Sequence, residues 1–297
     1  MEADEELMPG FEVRDVPASR ARIRVAVGGE GPPVLLLHGH PQTHLTWYRV
    51  APLLVAGGHA VVAPDLRGYG DSSKPFGGGD HADYSKRAMA LDQVEVMRSL
   101  GFERFAVVGH DRGARVAHRM TLDHPDAVTR LALLDIAPTS TMYGRTDKEF
   151  ATRYFWWFFL IQPYDLPERL IGLDPEYFLR RHLAGQLRVE GAANEAVFQE
   201  YLRCYRDPAT LHAICEDYRA SAGIDLEHDA ADGDRKVAAP LLALWGSLGT
   251  VGALYDVLAT WREKALDVRG RALPCGHTLQ EERPRETAAE LLAFLHS

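Results

Sequence analysis

The sequence predicts an α/β protein in which helices cover both faces of a mostly parallel sheet and a helical domain is inserted into the chain. Three observations support this fold class. Short apolar runs rich in Val, Leu and Ala recur up to residue 136, helical patterns separate the later runs, and the alternation resumes after residue 237. The runs are continuously apolar, which indicates strands that are buried on both faces.

The individual elements follow from these runs and from the patterns between them. The predicted strands are residues 22–27, 34–37, 60–63, 105–108, 131–136, 241–245 and 266–273. The predicted helices are residues 43–56, 84–100, 112–122, 252–261 and 284–295. The last of these begins with Pro284, which suits a helix start because its missing N–H would have no partner there.

Residues 139–236 contain no strand pattern and are predicted to form a helical cap, which leaves residues 1–138 and 237–297 as the core domain. The cap is dense in aromatic residues, with a run at residues 154–159. These rings either fill the cap's own core or cover the carboxyl ends of the strands, where ligands of open α/β sheets bind.

Composition and charge point to a soluble cytoplasmic protein. Of the 297 residues, 46% are hydrophobic and 25% are charged, and the formal net charge is −9, which argues against nucleic-acid and membrane partners. Three cysteines leave one unpaired in any disulfide scheme, as expected for a reducing compartment. The acidic N-terminus lacks a signal sequence, and the apolar run at 154–161 is far shorter than the roughly 20 residues needed to span a bilayer.

The strand at 105–108 continues as Gly109-His-Asp111-Arg-Gly113-Ala and runs directly into a helix. Small residues on either side of one reactive side chain are typical of the nucleophile elbow of α/β hydrolases, a tight turn that raises that side chain above the sheet. Asp111 stands at the nucleophile position. The alternative is that Asp111 only caps the helix, a common role for Asp.

The other parts of such a site follow in the expected chain order of nucleophile, acid and histidine. Asp135 ends a predicted strand, and His277 lies in the loop before the last helix, so Asp135 is predicted to orient His277 as a general base. Asp135 has an alternative role as the cap of a turn. The His38-Gly39-His40 turn and the residue after the nucleophile, Arg112, are the predicted oxyanion donors.

Three nearby histidines, His38, His40 and His44, are also compatible with metal binding. Pro41 and Gln42 follow His38-Gly39-His40 where the metallo-hydrolase pattern has Asp-His, so we expect neither a metal nor another cofactor.

An aspartate nucleophile restricts the chemistry. A carboxylate is ionised near neutral pH, and attack on an sp3 carbon leaves an alkyl ester that activated water hydrolyses. Alkyl halides and epoxides suit this chemistry. Arg112 and Arg115 lie one helical turn apart beside Asp111, and they favour a substrate with its own carboxylate. Alternatively, Arg115 pairs with a core acid and Arg112 balances the charge of Asp111.

The chain resembles the haloacetate dehalogenases, the fluoroacetate dehalogenase group of the α/β-hydrolase superfamily, over essentially its whole length. The segments that carry the resemblance begin at His38, Asp65, Gly109, Leu134, Trp156 and Ala272. The resemblance implies that Asp111, Asp135 and His277 are catalytic, and that Arg112 and Arg115 hold the substrate carboxylate. It also implies a homodimer.

For the halide, the resemblance implies binding by Trp157 and Tyr218, with Trp156 at a position where fluoride-releasing members have His. Loss of that imidazole favours chloroacetate and bromoacetate over fluoroacetate, because C–F cleavage depends most on stabilising the halide. The predicted function is hydrolysis of a short 2-haloacid to the 2-hydroxy acid. The alternatives are an epoxide hydrolase with Tyr143 and Tyr218 as proton donors, or a carboxylate-binding protein without catalysis.

Overall fold

An eight-stranded sheet forms the centre of the molecule in the computed structural model, which describes residues 6–297. Its strands are β1 (Glu12–Pro17), β2 (Arg22–Gly28), β3 (Pro33–Leu37), β4 (Ala60–Pro64), β5 (Phe105–His110), β6 (Val128–Leu134), β7 (Leu241–Gly246) and β8 (Val268–Leu273). They are arranged in the order β1-β2-β4-β3-β5-β6-β7-β8. Strand β2 is antiparallel to β1 and β4, and the pairs from β4 to β8 are parallel.

Helices connect the strands. They are α1 (Ala51–Ala56), α2 (Lys86–Ser99), α3 (Asp111–Asp123), α4 (Thr139–Gly144), α5 (Lys148–Arg153), α6 (Phe155–Phe159), α7 (Leu166–Leu173), α8 (Pro175–Gln186), α9 (Glu195–Tyr205), α10 (Pro208–Ala222), α11 (Ile224–Asp232), α12 (Thr250–Leu254), α13 (Val257–Arg262), α14 (Leu279–Glu282) and α15 (Pro284–Leu295). The predicted α/β class with a mostly parallel, helix-covered sheet is confirmed.

Some predicted elements were wrong in detail. The helix predicted at 43–56 is a 3-10 turn at His44–Trp47 followed by the short α1, because Pro52 cannot donate its backbone N–H and suits a new helix start. The helix predicted at 252–261 is divided into α12 and α13, since Asp256 caps a new helix by accepting from the N–H of Ala259. Edge strand β1 was not predicted, because it is mostly exposed and polar.

Every regular element between β6 and β7 is a helix, from α4 to α11. This agrees in type with the predicted cap, whose limits at 139 and 236 stay a prediction. Part of its aromatic run is internal packing: Phe150, Tyr154 and Trp157 are buried and their ring centroids lie within 6 Å of each other. From residue 6 to residue 297, no helix has the length and apolar character required to cross a membrane.

The central strands place the functional residues. All six residues of β5 are buried, as are the last four of β6. Asp111 follows β5, and Asp135 follows β6. Because carboxyl ends of parallel strands meet at one edge of a sheet, these two side chains are brought together on a rigid support.

Candidate active site

Asp111 lies at a tight turn between β5 and α3. Its φ of +46° is in the left-handed region, which is uncommon for a residue other than glycine. The turn also depends on Gly109, where an added Cβ would lie 2.5 Å from the Cα of Ala114. At Gly113 an added Cβ would lie 2.3 Å from the carbonyl oxygen of His38. The small residues of the motif thus let β5, α3 and the His38 turn approach closely.

The backbone N–H of His40 donates to Asp111 Oδ1 at 3.1 Å. The two segments meet closely, since a Cβ at Gly39 would lie 2.5 Å from the Cβ of Asp111. Burial raises the pKa of Asp111, but electrostatic interactions with His277, His110, Arg112 and Arg115 outweigh burial and hold the pKa well below its usual range. The carboxylate is therefore ionised at neutral pH.

Asp135 and His277 form a hydrogen-bonded pair. His277 Nδ1 lies 2.6 Å from Asp135 Oδ2, and Asp135 Oδ1 accepts the N–H of Gly246 at 2.9 Å. His277 Nε2 faces Asp111 Oδ2 at 3.8 Å, beyond hydrogen-bond distance. Burial lowers the pKa of His277, but the hydrogen bond to Asp135 and the charges of Asp135 and Asp111 raise it by more. The pKa of His277 therefore lies above its usual value. The imidazole thus has Nδ1 fixed by Asp135 and Nε2 directed at Asp111.

Arg112 is fully buried and pairs with Asp217 of α10. Its Nε and Nη2 donate to the Asp217 carboxylate at 3.0 and 2.8 Å, and Nη2 also donates to Ser221 Oγ. Asp217 further accepts from Tyr69 Oη at 2.6 Å and from Lys86 Nζ. The remaining nitrogen, Arg112 Nη1, is buried and has no partner in the structure. Asp217, rather than Asp111, is therefore the counter-charge held by Arg112.

Arg115 is also buried but pairs with no carboxylate among residues 6–297. Its Nη1 donates to the carbonyl of Ala137 and to Thr139 Oγ1, while its Nε is buried without a partner. Burial and the charge of Arg112 lower its pKa. This differs from the alternative in which Arg115 pairs with a core acid. Arg112 and Arg115 thus each retain one N–H group without a partner, which is costly unless an anion binds.

The predicted halide-binding residues differ in position. Trp157 and Tyr218 are buried, their rings lie 6.4 Å apart, and each packs against one of the two arginines. Trp156 is only partly buried and packs edge-on against His182 of α8, with 4.6 Å between ring centroids. His182 also packs against His40 at 4.7 Å. The imidazole of His182, from α8, therefore lies beside Trp156, the residue at the position where the resemblance places a His in fluoride-releasing members.

A cavity of about 580 Å³ opens onto Asp135 and His277. Aromatic side chains of α6 and α8 form much of its wall, and these include Trp156 on α6 and His182 on α8. Arg153, Arg181 and Arg188 also line it. This cavity connects His277 with the surface of the cap.

The histidines considered for metal binding serve other contacts. His38 Nε2 accepts the N–H of Leu66 at 2.9 Å, and His44 Nδ1 lies 2.8 Å from Asp65 Oδ1. No group of three or more potential ligand side chains in the described part of the chain is arranged to hold a metal ion.

Sequence reasoning missed three residues near the site: Asp217, His182 and Tyr205. Each lies on a cap helix and reaches the core only through the tertiary fold, so local motifs gave no signal for them. For Asp217 there was one indirect signal, because it directly precedes Tyr218, a residue already predicted to lie in the site. A counter-charge stabilises an arginine that is buried, and a search for the partner of Arg112 could have directed attention to Asp217.

Comparison with known proteins identifies the family of the chain. The family model for the alpha/beta hydrolase fold matches residues 32–284. A fluoroacetate dehalogenase from Burkholderia sp. is 48% identical over 291 residues, covering 97% of this chain and 95% of the relative. A soluble epoxide hydrolase from Corynebacterium sp. strain C12 is 35% identical, covering 92% and 93% respectively.

A crystal structure from Salmonella enterica, named as a candidate acyltransferase, is also similar. It is 59% identical with a TM-score of 0.96, and the match covers 98% of this chain and 96% of that one. With the aspartate elbow and the histidine–aspartate pair described above, these similarities show that the chain belongs to the α/β-hydrolase superfamily and, within it, to the haloacetate dehalogenase group of hydrolases acting on carbon–halide bonds.

Proposed function

We propose that the protein hydrolyses haloacetate, or another short 2-haloacid, to the 2-hydroxy acid and halide. One observation carries the proposal: the nucleophile Asp111 lies beside two buried arginines that each keep an unpaired N–H, Arg112 Nη1 and Arg115 Nε. A small carboxylate satisfies both donors, and charged hydrogen bonds of this kind contribute about 1.5–3 kcal/mol each. The 48% identical Burkholderia relative, named a fluoroacetate dehalogenase, supports the same substrate class.

The reaction has two steps. In the first, an Asp111 carboxylate oxygen attacks C2 of the haloacid, the C–X bond breaks, and the halide leaves with its electron pair. In the second, His277 removes a proton from water, which attacks the Asp111 carboxyl carbon. Negative charge then develops on a carboxyl oxygen of Asp111, where the N–H of His40 donates, as Arg112 N–H is expected to do. When the intermediate collapses, the bond to the alkyl oxygen breaks, that oxygen takes up a proton, and the Asp111 carboxylate and the hydroxy acid are formed. One proton is released to water, which leaves His277 neutral again.

The cap supplies the predicted halide site. The N–H of Trp157 and the hydroxyl of Tyr218 are the donors beside the arginines, and Trp156 lies further out against His182. We therefore propose that the imidazole of His182, rather than the indole of Trp156, replaces the imidazole that fluoride-releasing members have in the halide site. Fluoroacetate belongs to the proposed substrate range, although chloroacetate and bromoacetate demand less of the halide donors. The homodimer and the cytoplasmic location stay predictions.

The direct test is to incubate the purified protein with bromoacetate, chloroacetate and fluoroacetate and to measure halide and glycolate. We expect the two products in equal amounts. Absence of release from all three substrates would overturn the proposal. Turnover of styrene oxide without release of halide would instead support an epoxide hydrolase. Two observations favour that alternative: the hydroxyl of Tyr143 is buried without a partner, and the Corynebacterium epoxide hydrolase is 35% identical.

Replacing Arg115 tests carboxylate binding. In Arg115→Gln we expect kcat/KM for bromoacetate to fall by about 10- to 100-fold, the equivalent of one charge-assisted hydrogen bond. Arg115→Lys keeps the charge but not the planar fork, so its effect should be intermediate. Arg87→Gln removes an exposed arginine paired with Asp123 and serves as the control. Equal kinetics for the Arg115→Gln and Arg87→Gln proteins would contradict the assignment.

The two steps should respond differently to acid. Asp111 has a lowered pKa and His277 a raised one, so at pH 5 the nucleophile is ionised while the base is protonated. We expect rapid release of a single equivalent of bromide per site at pH 5, followed by slow turnover, which recovers as pH rises through the His277 pKa. Quenched-flow measurement of bromide separates the phases. A burst that declines together with turnover would contradict this order of steps.

A further inference from the structure

Besides its backbone contact with Asp111, His40 makes two side-chain contacts that the mechanism above does not use. Its Nε2 lies 2.6 Å from the hydroxyl of Tyr205 on α9, and its Nδ1 lies 3.4 Å from the hydroxyl of Tyr218 on α10. All three side chains are buried. The result is a hydrogen-bonded chain, Tyr205–His40–Tyr218, that ends at a predicted halide donor.

The direction of these hydrogen bonds follows from counting protons. Burial, above all, lowers the pKa of His40 to about 3, so the ring is neutral at neutral pH and carries one proton. If that proton were on Nε2, it would be donated to Tyr205, and Tyr218 would donate its own proton to Nδ1. The buried Tyr205 proton would then have no acceptor in the described structure, which costs about 1–3 kcal/mol.

With the proton on Nδ1, both nitrogens of the His40 ring and the Tyr205 hydroxyl proton are paired. Tyr205 donates to Nε2, and Nδ1–H donates to the Tyr218 oxygen. The hydroxyl proton of Tyr218 is then the one left over, and it is free to point into the substrate site. The contact geometry therefore favours the state in which Tyr218 acts as a donor to the ligand.

We propose that His40 and Tyr205 are positioning residues, which hold the Tyr218 hydroxyl as a hydrogen-bond donor to the departing halide. This rests on the proposed dehalogenase function. No proton is transferred: the C–X bond breaks, the halide takes the electron pair, and Tyr218 donates a hydrogen bond to the charge that develops. The contribution is larger for fluoride and chloride than for bromide, because a smaller halide concentrates its charge and binds donors more strongly.

The kinetic test uses Tyr205→Phe, which removes the donor to Nε2 and keeps the ring. We expect the rate of the first step to fall about tenfold more for fluoroacetate or chloroacetate than for bromoacetate, the effect of one hydrogen bond. His40→Phe should produce the same pattern, and His40→Asn, whose amide can replace Nδ1–H, should restore part of it. Tyr201→Phe is the matched control, since Tyr201 is buried on the same helix but donates to Glu281.

A double-mutant cycle separates positioning from a general loss of packing. In a Tyr218→Phe protein, adding Tyr205→Phe should leave the ratio of chloride to bromide rates unchanged. An unchanged ratio in Tyr205→Phe alone, or the same additional change with and without Tyr218, would overturn the proposal.

A second measurement does not depend on activity. In protein labelled with [15N]histidine, the His40 ring signals, identified by their loss in His40→Asn, should show a protonated Nδ1 and an unprotonated Nε2. A protonated Nε2 would overturn the proposal. A wild-type protein that shows the expected tautomer but releases no halide from any haloacetate would refute the dehalogenase function alone.

Discussion

Replacing His277 with alanine is expected to trap the protein as its own ester. Asp111 is still ionised and still attacks the substrate, but no base remains to activate water. We expect the catalytic rate to fall by about 10²–10⁴-fold while one halide is released per site. Mass spectrometry of the protein after bromoacetate treatment should show the mass of one carboxymethyl group, and peptide mapping should locate it on Asp111.

Two further proteins make this result specific. Asp111→Asn should acquire no such group in the same peptide, and His124→Ala, which alters a histidine at the far end of α3, should turn over like the wild type. Reaction in ¹⁸O water offers a second readout, because a single turnover should place the label in Asp111 and leave glycolate unlabelled. Label in the first-turnover glycolate would mean that water attacks the substrate directly, and the ester mechanism would be wrong.

The largest loss of stability is expected for Asp217→Asn. This change preserves the shape of the side chain but removes the one negative charge that faces both Arg112 and Lys86. Breaking a buried ion pair in this way typically lowers the free energy of unfolding by about 3–5 kcal/mol, since a buried charge is left without its partner. Denaturation by urea, followed by circular dichroism, measures it.

The matched control is Asp71→Asn, which removes an ion pair between two half-exposed side chains, Asp71 and Arg203. Such a pair contributes about 0–1 kcal/mol. If the free energy of unfolding fell by the same amount in the Asp71 and Asp217 variants, the buried Asp217 network would not contribute the expected stability. A folded Asp217 variant should also show a raised KM for haloacetate, because Arg112 loses the partner that orients it.

Much of the core could be predicted because its signals are local. Buried parallel strands such as β5 are continuously apolar, and the Gly109–Gly113 turn requires small residues at fixed positions, so both can be found in a few consecutive letters. The edge strand β1 could not, because it has no continuous apolar run. The division of the helix predicted at 252–261 was missed because the capping role of Asp256 competes with the helical pattern around it.

The candidate site shows the same division. Asp111, Asp135 and His277 were identified by their order along the chain, and the structure brings them together at one edge of the sheet. The partner of Arg112 lies 105 residues away on a cap helix, and no motif connects the two. The contact of Tyr205 with His40 likewise spans 165 residues. Interactions of this kind depend on how the cap lies on the core, which a single sequence does not encode in any local pattern.

The Asp217 network also bears on how substrate reaches the site. Swinging the cap away from the core would separate Asp217 from Arg112, Lys86 and Tyr69 and would exchange these close, buried contacts for contacts with water. These contacts join the cap to the core in the structure. With the cap in this position, the cavity lined by Arg153, Arg181 and Arg188 leads to His277. Its width therefore limits the size of the molecules that reach His277 by this route.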